Sequence, residues 1–268
     1  MSFGSYYAFP AAVAVRLARV PLILQAGDAV PGKAIRLLSP LAYCTALQFP
    51  EAAKHVYGET AVVKMPMKHH KRVSASEARA HYGLGIHEPT LLVFGGSQGA
   101  EALNQLMIGA AEYLPKELQI IHLTGGAERV DEVLKAYRNR GLRAHVKPFE
   151  TAMHLAWCAA DLAVCRAGAA TIAEMRHFEC PAILVPYPYA TDRHQDFNAD
   201  AMVRCGAAIK KSQDQLTGEA LSQQITRLLL DSSKEIQVMQ RAIQAANSAA
   251  SSRNLSDLIF EKLTSERR

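Results

Sequence analysis

The chain has 268 residues, 49% of them hydrophobic and 21% charged, which is typical of a globular protein with a sizeable core. Its formal net charge of +5 permits anionic ligands without requiring them. The length exceeds that of a usual single domain, so we expect one large or two modest domains. No nucleic-acid-binding motif and no interleaving of basic and aromatic residues are present, which disfavours nucleic acid as a partner.

Cysteine spacing and hydropathy exclude further classes of protein. The five cysteines are odd in number and never at CxxC spacing, so neither a disulfide framework nor a zinc site is predicted. His69 and His70 have no third ligand at a suitable spacing, and we expect no metal. No apolar run approaches the ~18 residues of a membrane span. The sequence therefore predicts a reduced, cytoplasmic protein that at most visits a membrane surface.

The N-terminal residues 1–68 are predicted to be part of an α/β domain. The pattern indicates a helix over 10–20 and strands over 21–27, 43–49 and 60–65. The chain opens on residues that already look like a strand end and its loop. We therefore expect that about half or more of this domain lies outside the sequence. The alternative is a small native cap of two or three strands, whose exposed sheet edges make it less attractive.

Residues 69–268 are predicted to form a complete second domain. Continuous apolar strands separated by helical segments indicate a parallel, doubly wound α/β sheet, which binds ligands at the carboxyl ends of its strands. Helical patterns beyond residue 215 close the domain. The predicted strands cover residues 90–96, 118–126, 142–149, 161–168, 181–187 and 207–211.

The motif "GGSQGAE" lies between the first of these strands and the helix after it. Gly95 and Gly96 let the backbone approach a ligand closely, and Ser97 can donate its hydroxyl to a phosphate oxygen. The motif is neither GxGxxG nor a P-loop, because it lacks the lysine. The alternative is a tight turn in which Ser97 only caps the helix.

The motif "CRAGAATIAE", residues 165–174, repeats this arrangement. Small residues at a helix start leave N–H groups uncovered, which suits a phosphate. Glu174 could complement the helix dipole or accept hydrogen bonds from both hydroxyls of a ribose. Two phosphate-binding turns in one sheet favour a nucleotide.

The stretch "PYPYATDRHQDFNA", residues 186–199, is rich in polar side chains. Gln195 and Asp192 could read sugar hydroxyls, because amides and carboxylates satisfy both sides of an OH group. Alternatively, Asp192 is the N-cap of the next helix, and Asn198 ties the loop backbone together. His194 has no acid or nucleophile at a defined spacing, so it is not predicted to be a catalytic base.

These motifs, in order along nearly the whole chain, resemble the MurG family of UDP-N-acetylglucosamine transferases. The resemblance implies the GT-B architecture, in which two Rossmann-like domains face each other across a cleft. It implies inverting transfer of N-acetylglucosamine from UDP-GlcNAc to lipid I, a lipid-linked muramoyl-pentapeptide acceptor, which gives lipid II for peptidoglycan synthesis. It also implies a peripheral position on the cytoplasmic face of the membrane, with no cofactor and no bound metal.

The resemblance assigns roles to particular residues. Glu174 binds the ribose, Gln195 reads the N-acetylglucosamine hydroxyls, and the backbone near Phe149 and Glu150 reads uracil. Asp28 and Lys68 are weaker candidates, because the family usually has asparagine and arginine at these two positions. The implied UDP-GlcNAc contacts are Ser97, Gln98, Glu150, Ala169, Ala170, Thr171, Ile172, Ala173, Glu174 and Gln195.

The family's N-terminal GGTGGH loop, with its proposed catalytic histidine, has no counterpart in this sequence, and neither does its membrane-docking patch. We therefore assign no catalytic residue and expect this chain alone to bind UDP weakly without catalysing transfer. One alternative is a noncatalytic or split-subunit binding module that needs a partner chain. Another is a related GT-B transferase with a different acceptor, suggested by the altered residues 25–28 and 65–68.

Overall fold

The computed structural model describes residues 9–67, 72–96, 100–231, 233–249 and 253–265. It contains two parallel sheets, one of three strands and one of six. Within the described ranges, no helix combines the length and the apolar character that crossing a membrane would require.

The three-stranded sheet is built from the N-terminal part of the chain, in the order β1-β2-β3. The predicted helix and all three predicted strands are present. A short additional helix, α2, follows the Pro31–Gly32 turn and packs Ile35 and Leu38 against the apolar face of β1. The elements are α1 (Phe9–Leu17), β1 (Ile23–Ala26), α2 (Lys33–Leu38), β2 (Cys44–Leu47) and β3 (Thr60–Val62).

The six-stranded sheet confirms the predicted doubly wound domain. All neighbouring strands are parallel, in the order β6-β5-β4-β7-β8-β9, so the chain reverses its direction across the sheet between β4 and β7. The strands are β4 (Thr90–Phe94), β5 (Gln119–Leu123), β6 (Arg143–Lys147), β7 (Leu162–Cys165), β8 (Ala182–Leu184) and β9 (Ala208–Lys210).

Helices cover both faces of this sheet, which explains the continuous apolar strands. Leu92 and Phe94 of β4 face one core, while Leu91 and Val93 face the other. The helices are α3 (Ala75–His81), α4 (Glu101–Ala111), α5 (Val130–Asn139), α6 (Met153–Ala159), α7 (Ala169–Phe178), α8 (His194–Arg204), α9 (Gly218–Thr226) and α10 (Ser233–Ala249).

The last helix, α11 (Leu255–Ser265), packs against the three-stranded sheet rather than the six-stranded one. Its Leu255 and Leu258 join Cys44 and Val63 in a small apolar core. The amide of Lys64 also donates to the carbonyl of Arg253, 3.0 Å away. The division at residue 68 stays a prediction, and α11 connects the two predicted parts.

Candidate functional site

The candidate site lies where the strand order reverses, at the carboxyl ends of β4 and β7, the position at which doubly wound sheets bind ligands. β4 runs into Gly95 and Gly96, and β7 into the turn that ends at Gly168. Gly96 has a φ of +92°, a backbone conformation that residues other than glycine rarely adopt. Ser97 and Gln98 lie outside the described residues. The N-cap of α4 is Ala100. The alternative in which Ser97 caps this helix concerns a residue outside the described ranges and stays a prediction.

The start of α7 presents backbone N–H groups to this cleft. Its N-cap, Gly168, has no side chain that could cap the helix, and the amide of Ile172 makes an intrahelical bond to the carbonyl of Gly168. The amides of Ala169, Ala170 and Thr171 precede that bond, so they are the unpaired donors of a helix start. Positive potential concentrates at the same place.

The remaining two predicted residues of this turn face elsewhere. The side chain of Ile172 is fully buried in the core, and its amide is already bonded within the helix. Ala173 lines a different crevice, between α7 and the three-stranded sheet, together with Gln48 and Val63. Both residues support the helix start from behind. Their assignment as ligand contacts stays a prediction.

Glu174 lies one turn along α7, in a cleft of about 420 Å³ that Phe149, Glu150 and Ala170 also line. Its Oε2 accepts a hydrogen bond from the indole Nε1 of Trp157, 2.8 Å away. Burial raises the pKa of Glu174 above its ordinary value, and the indole bond opposes that shift. This carboxylate is therefore held partly out of water beside the cleft.

Glu150 lines the same cleft, but its carboxylate contacts neighbouring residues of the chain. Its Oε1 accepts from the amide of Ala152 at 2.8 Å, and its Oε2 lies 3.5 Å from Nζ of Lys147. Burial raises the pKa of Glu150, but these partners outweigh it and leave the pKa below its usual range. Phe149 is exposed beside this carboxylate. The contact of the loop backbone with uracil stays a prediction.

Gln195 lines an adjoining cleft of about 620 Å³ that includes Gly96, Gly168 and Thr171. The amide of Tyr187 donates to Oε1 of Gln195 at 3.0 Å. This bond fixes the orientation of the side-chain amide, which leaves its Nε2 as a donor of two hydrogen bonds.

Asp192 does not cap α8, because the N-cap of that helix is Arg193. The prediction of an Asp192 N-cap is wrong. Asp192 instead pairs with two cations of α2, at 3.0 Å from Arg36 and 3.6 Å from Lys33. Asp192 and Arg193 both have positive φ angles, 51° and 53°, which is uncommon for residues other than glycine.

Asn198 bonds loop backbone, as one alternative had it, and the loops it connects belong to the two sheets. It is fully buried, accepts from the amide of Ala29 at 2.8 Å and donates to the carbonyl of Ala167 at 3.0 Å. It also donates to Oδ1 of Asp28 at 2.8 Å, so the carboxylate at this altered position is used in the contact between the sheets. Lys68, the other weak candidate, lies outside the described residues.

The sequence analysis did not assign Arg166 or Trp157 to the site, although both lie next to it. Arg166 is buried at the end of β7 and donates to the carbonyls of Val185 and Pro186, which lead into the Gln195 loop. An arginine inside the apolar run "AVCRAG" was the available signal. Trp157 packs in the core and also donates to Glu174.

Residues 90–254 match the family model described as the glycosyltransferase family 28 C-terminal domain. The chain belongs to glycosyltransferase family 28. It is 44% identical over 207 residues to the UDP-N-acetylglucosamine–N-acetylmuramyl-(pentapeptide) pyrophosphoryl-undecaprenol N-acetylglucosamine transferase of Protochlamydia amoebophila, covering 76% of this chain and 55% of that protein. It is 36% identical over 261 residues to the Anaeromyxobacter sp. (strain K) enzyme of the same name, covering 96% and 67%.

The crystal structure of Acinetobacter baumannii MurG is similar over 99% of this chain and 74% of that one, with 28% identity and a TM-score of 0.78. The MurG resemblance and the GT-B fold class are thereby confirmed. The chain spans about half of the Protochlamydia relative and about two thirds of the Anaeromyxobacter one.

Proposed function

We propose that this chain is the donor-binding part of an inverting transferase that moves N-acetylglucosamine from UDP-GlcNAc to lipid I. The observation that carries the proposal is the alignment of Glu174, Thr171 and Gln195 along two adjoining clefts at the reversal point of the sheet. A nucleoside, a diphosphate and a sugar need three such recognition points in this order.

The cleft around Glu174 takes the nucleoside. A charged carboxylate accepts strong hydrogen bonds, so Glu174 binds the two ribose hydroxyls. The backbone of the loop at Phe149 and Glu150 reads uracil, since the Glu150 carboxylate is occupied within that loop.

The diphosphate lies at the start of α7, where the amides of Ala169, Ala170 and Thr171 and the helix dipole meet it. Ser97 and Gln98 are proposed to contact the diphosphate from the opposite turn. Negative charge builds up on the diphosphate as the glycosidic bond breaks, so these fixed donors stabilise the transition state. They need no metal ion or cofactor for this.

Gln195 places its Nε2 donors against the hydroxyls of N-acetylglucosamine. The C4 hydroxyl of the muramoyl sugar attacks the anomeric carbon from the opposite side, the bond to UDP breaks, and the configuration inverts. Because lipid I is a membrane lipid, we propose that the reaction takes place at a membrane surface, on the cytoplasmic face that the MurG resemblance implies. We assign no catalytic base; Nδ1 of His194 bonds the carbonyl of Thr191 in its own loop at 2.7 Å.

Calorimetry of the full chain with UDP tests the proposal. Glu174→Gln should weaken UDP binding about tenfold, because it replaces a charged acceptor by a neutral one. Glu117→Gln, an exposed site outside the clefts, should leave the affinity unchanged. A folded chain that binds neither UDP nor UDP-GlcNAc would overturn the proposed function.

A further inference from the structure

We infer that Trp157 is a positioning residue for ribose recognition, fixing the carboxylate of Glu174 through its indole N–H. The inference rests on the proposed function, because it concerns the carboxylate assigned there to the ribose. It adds a residue that makes no contact with the ligand but decides how the carboxylate meets it.

The first observation is the bond itself. Nε1 of Trp157 lies 2.8 Å from Oε2 of Glu174, a good length for an N–H donor to a carboxylate. Across the described ranges, no ion pair and no other hydrogen bond to this carboxylate occurs. Within the part of the chain that the structure describes, the Glu174 head group is therefore oriented by the indole N–H of Trp157.

The second observation is that the donor cannot turn away. Trp157 is 1% exposed, and its ring packs against two other aromatic rings. Phe94, the last residue of β4, meets it edge-on at 5.4 Å between centroids, while Phe178 of α7 lies parallel to it at 6.5 Å. Because β4 and α7 flank the reversal point, the indole is positioned by the same elements that form the cleft.

The third observation is that the donor to Glu174, the indole of Trp157, carries no charge. A lysine or arginine bound to Glu174 would neutralise the carboxylate and compete with the ribose. An indole N–H compensates for part of the lost hydration yet leaves the full negative charge. A carboxylate has about four acceptor positions, and the indole occupies one. No other described residue donates to this carboxylate, so Oε1 and the remaining positions of Oε2 can accept from two hydroxyl donors.

This geometry makes the site pre-organised for a vicinal diol. A free glutamate side chain would lose rotamer freedom on binding the nucleotide, whereas the indole has already restricted it. Loss of the indole N–H should therefore weaken the contribution of the ribose hydroxyls and leave the rest of the nucleotide unaffected.

The experiment exchanges the indole N–H for sulfur. The chain has a single tryptophan, so expression in a tryptophan auxotroph with β-(3-benzothienyl)alanine changes only this position and keeps the ring shape. UDP and 2′,3′-dideoxy-UDP are titrated against the full chain by calorimetry. The same chain expressed with tryptophan is the control. Trp157→Phe, which also lacks the N–H, is the second variant should the first fold poorly.

We expect the UDP affinity to fall roughly fivefold in both altered proteins, with little change for the dideoxy nucleotide. The preference for UDP then falls by the same factor. An equal loss for both nucleotides would show a merely structural role and overturn the inference, and so would an unchanged preference.

The proposed function fails in a different way. If the tryptophan-containing chain binds both nucleotides equally, and Glu174→Gln changes nothing, then Glu174 does not bind the ribose, and the inference about Trp157 is overturned together with that contact. If the folded chain binds neither UDP nor UDP-GlcNAc, the proposed function itself is overturned. If Glu174→Gln lowers the preference for UDP but the benzothienyl exchange does not, only the inference about Trp157 is wrong.

Discussion

Glu174 illustrates how a single residue sets binding against stability. Burial raises its pKa, so the folded chain holds a proton on this carboxyl at a higher pH than the unfolded chain does. Folding therefore becomes less favourable as the pH rises through this window, and the cost is fully present above the raised pKa. The carboxylate is a destabilising group in the free protein whose charge is useful only when a ligand arrives.

Glu174→Gln should keep or raise the melting temperature at pH 7.5, because a neutral amide avoids this cost and can still accept from Trp157. The same substitution should remove the acid limb of UDP binding, in which affinity falls as the pH drops through the raised pKa. Thermal unfolding and calorimetry at several pH values measure both effects. A clear drop in melting temperature would contradict this account.

Among single residues, the sequence singled out Glu174, Gln195 and Asn198, which the structure places on α7 and α8, the helices that follow β7 and β8. The ligand contacts of Glu174 and Gln195 stay predictions. The sequence could not separate a carboxylate that faces the cleft from one that folds back, as Glu150 does toward Ala152. It also could not show that the side chain of Ile172 lies in the core. Small and apolar residues occur on every side of this helix start, so the pattern does not distinguish the face toward the core from the face toward a ligand.

Among elements, the loop before α8 is the most unusual, because two consecutive residues are left-handed without being glycine. Asp192 and Arg193 hold this conformation while Asp192 pairs with Arg36 and Lys33 of α2. Each such residue costs on the order of 1 kcal/mol, so the contact with α2 offsets strain in the loop that leads to Gln195.

Replacing Arg193 by glycine and by alanine should separate this strain from the side chain. Both variants lose the exposed pair with Asp196, but only glycine relaxes the left-handed backbone. We expect Arg193→Gly to be more stable than Arg193→Ala by about 1 kcal/mol in urea unfolding. Equal stabilities would mean that the backbone at this position is not strained.

The strands were the elements that the sequence predicted best, because a buried parallel strand is a continuous apolar run between turns. α2 was missed because six residues are too few to display a helical period. The left-handed pair was invisible for a different reason: Asp-Arg carries no glycine, and the strain is supported by side chains 156 residues away in sequence.

At the scale of the whole molecule, the two sheets are joined by contacts between distant parts of the chain. Gln48 donates to the carbonyl of Ala169, and Arg204 pairs with Glu51. Two further contacts are buried: the hydrogen bond from the amide of Ala29 to Asn198, and the apolar contact of α11 with the three-stranded sheet. The sequence predicted that helices beyond residue 215 close the second domain, but it could not say that the last of them, α11, would cover the three-stranded sheet.

Leu258→Ala tests whether α11 stabilises the three-stranded sheet. Leu258 is fully buried between α11 and that sheet, and its truncation should cost about 2–4 kcal/mol. Phe260 lies on the same helix and is 70% exposed, so Phe260→Ala should lower the free energy of unfolding little. Urea unfolding of both variants gives the comparison. Similar values would place α11 away from the sheet in solution.

The enclosed indole of Trp157 has an optical consequence. Tryptophan emission depends on the polarity and hydrogen bonding around the ring, and this chain has one tryptophan, bonded to the carboxylate proposed to receive the ribose. A nucleotide that enters the cleft changes the charge distribution next to that ring without touching it. The fluorescence of Trp157 in the unlabelled protein should therefore report whether a nucleotide is bound next to Glu174.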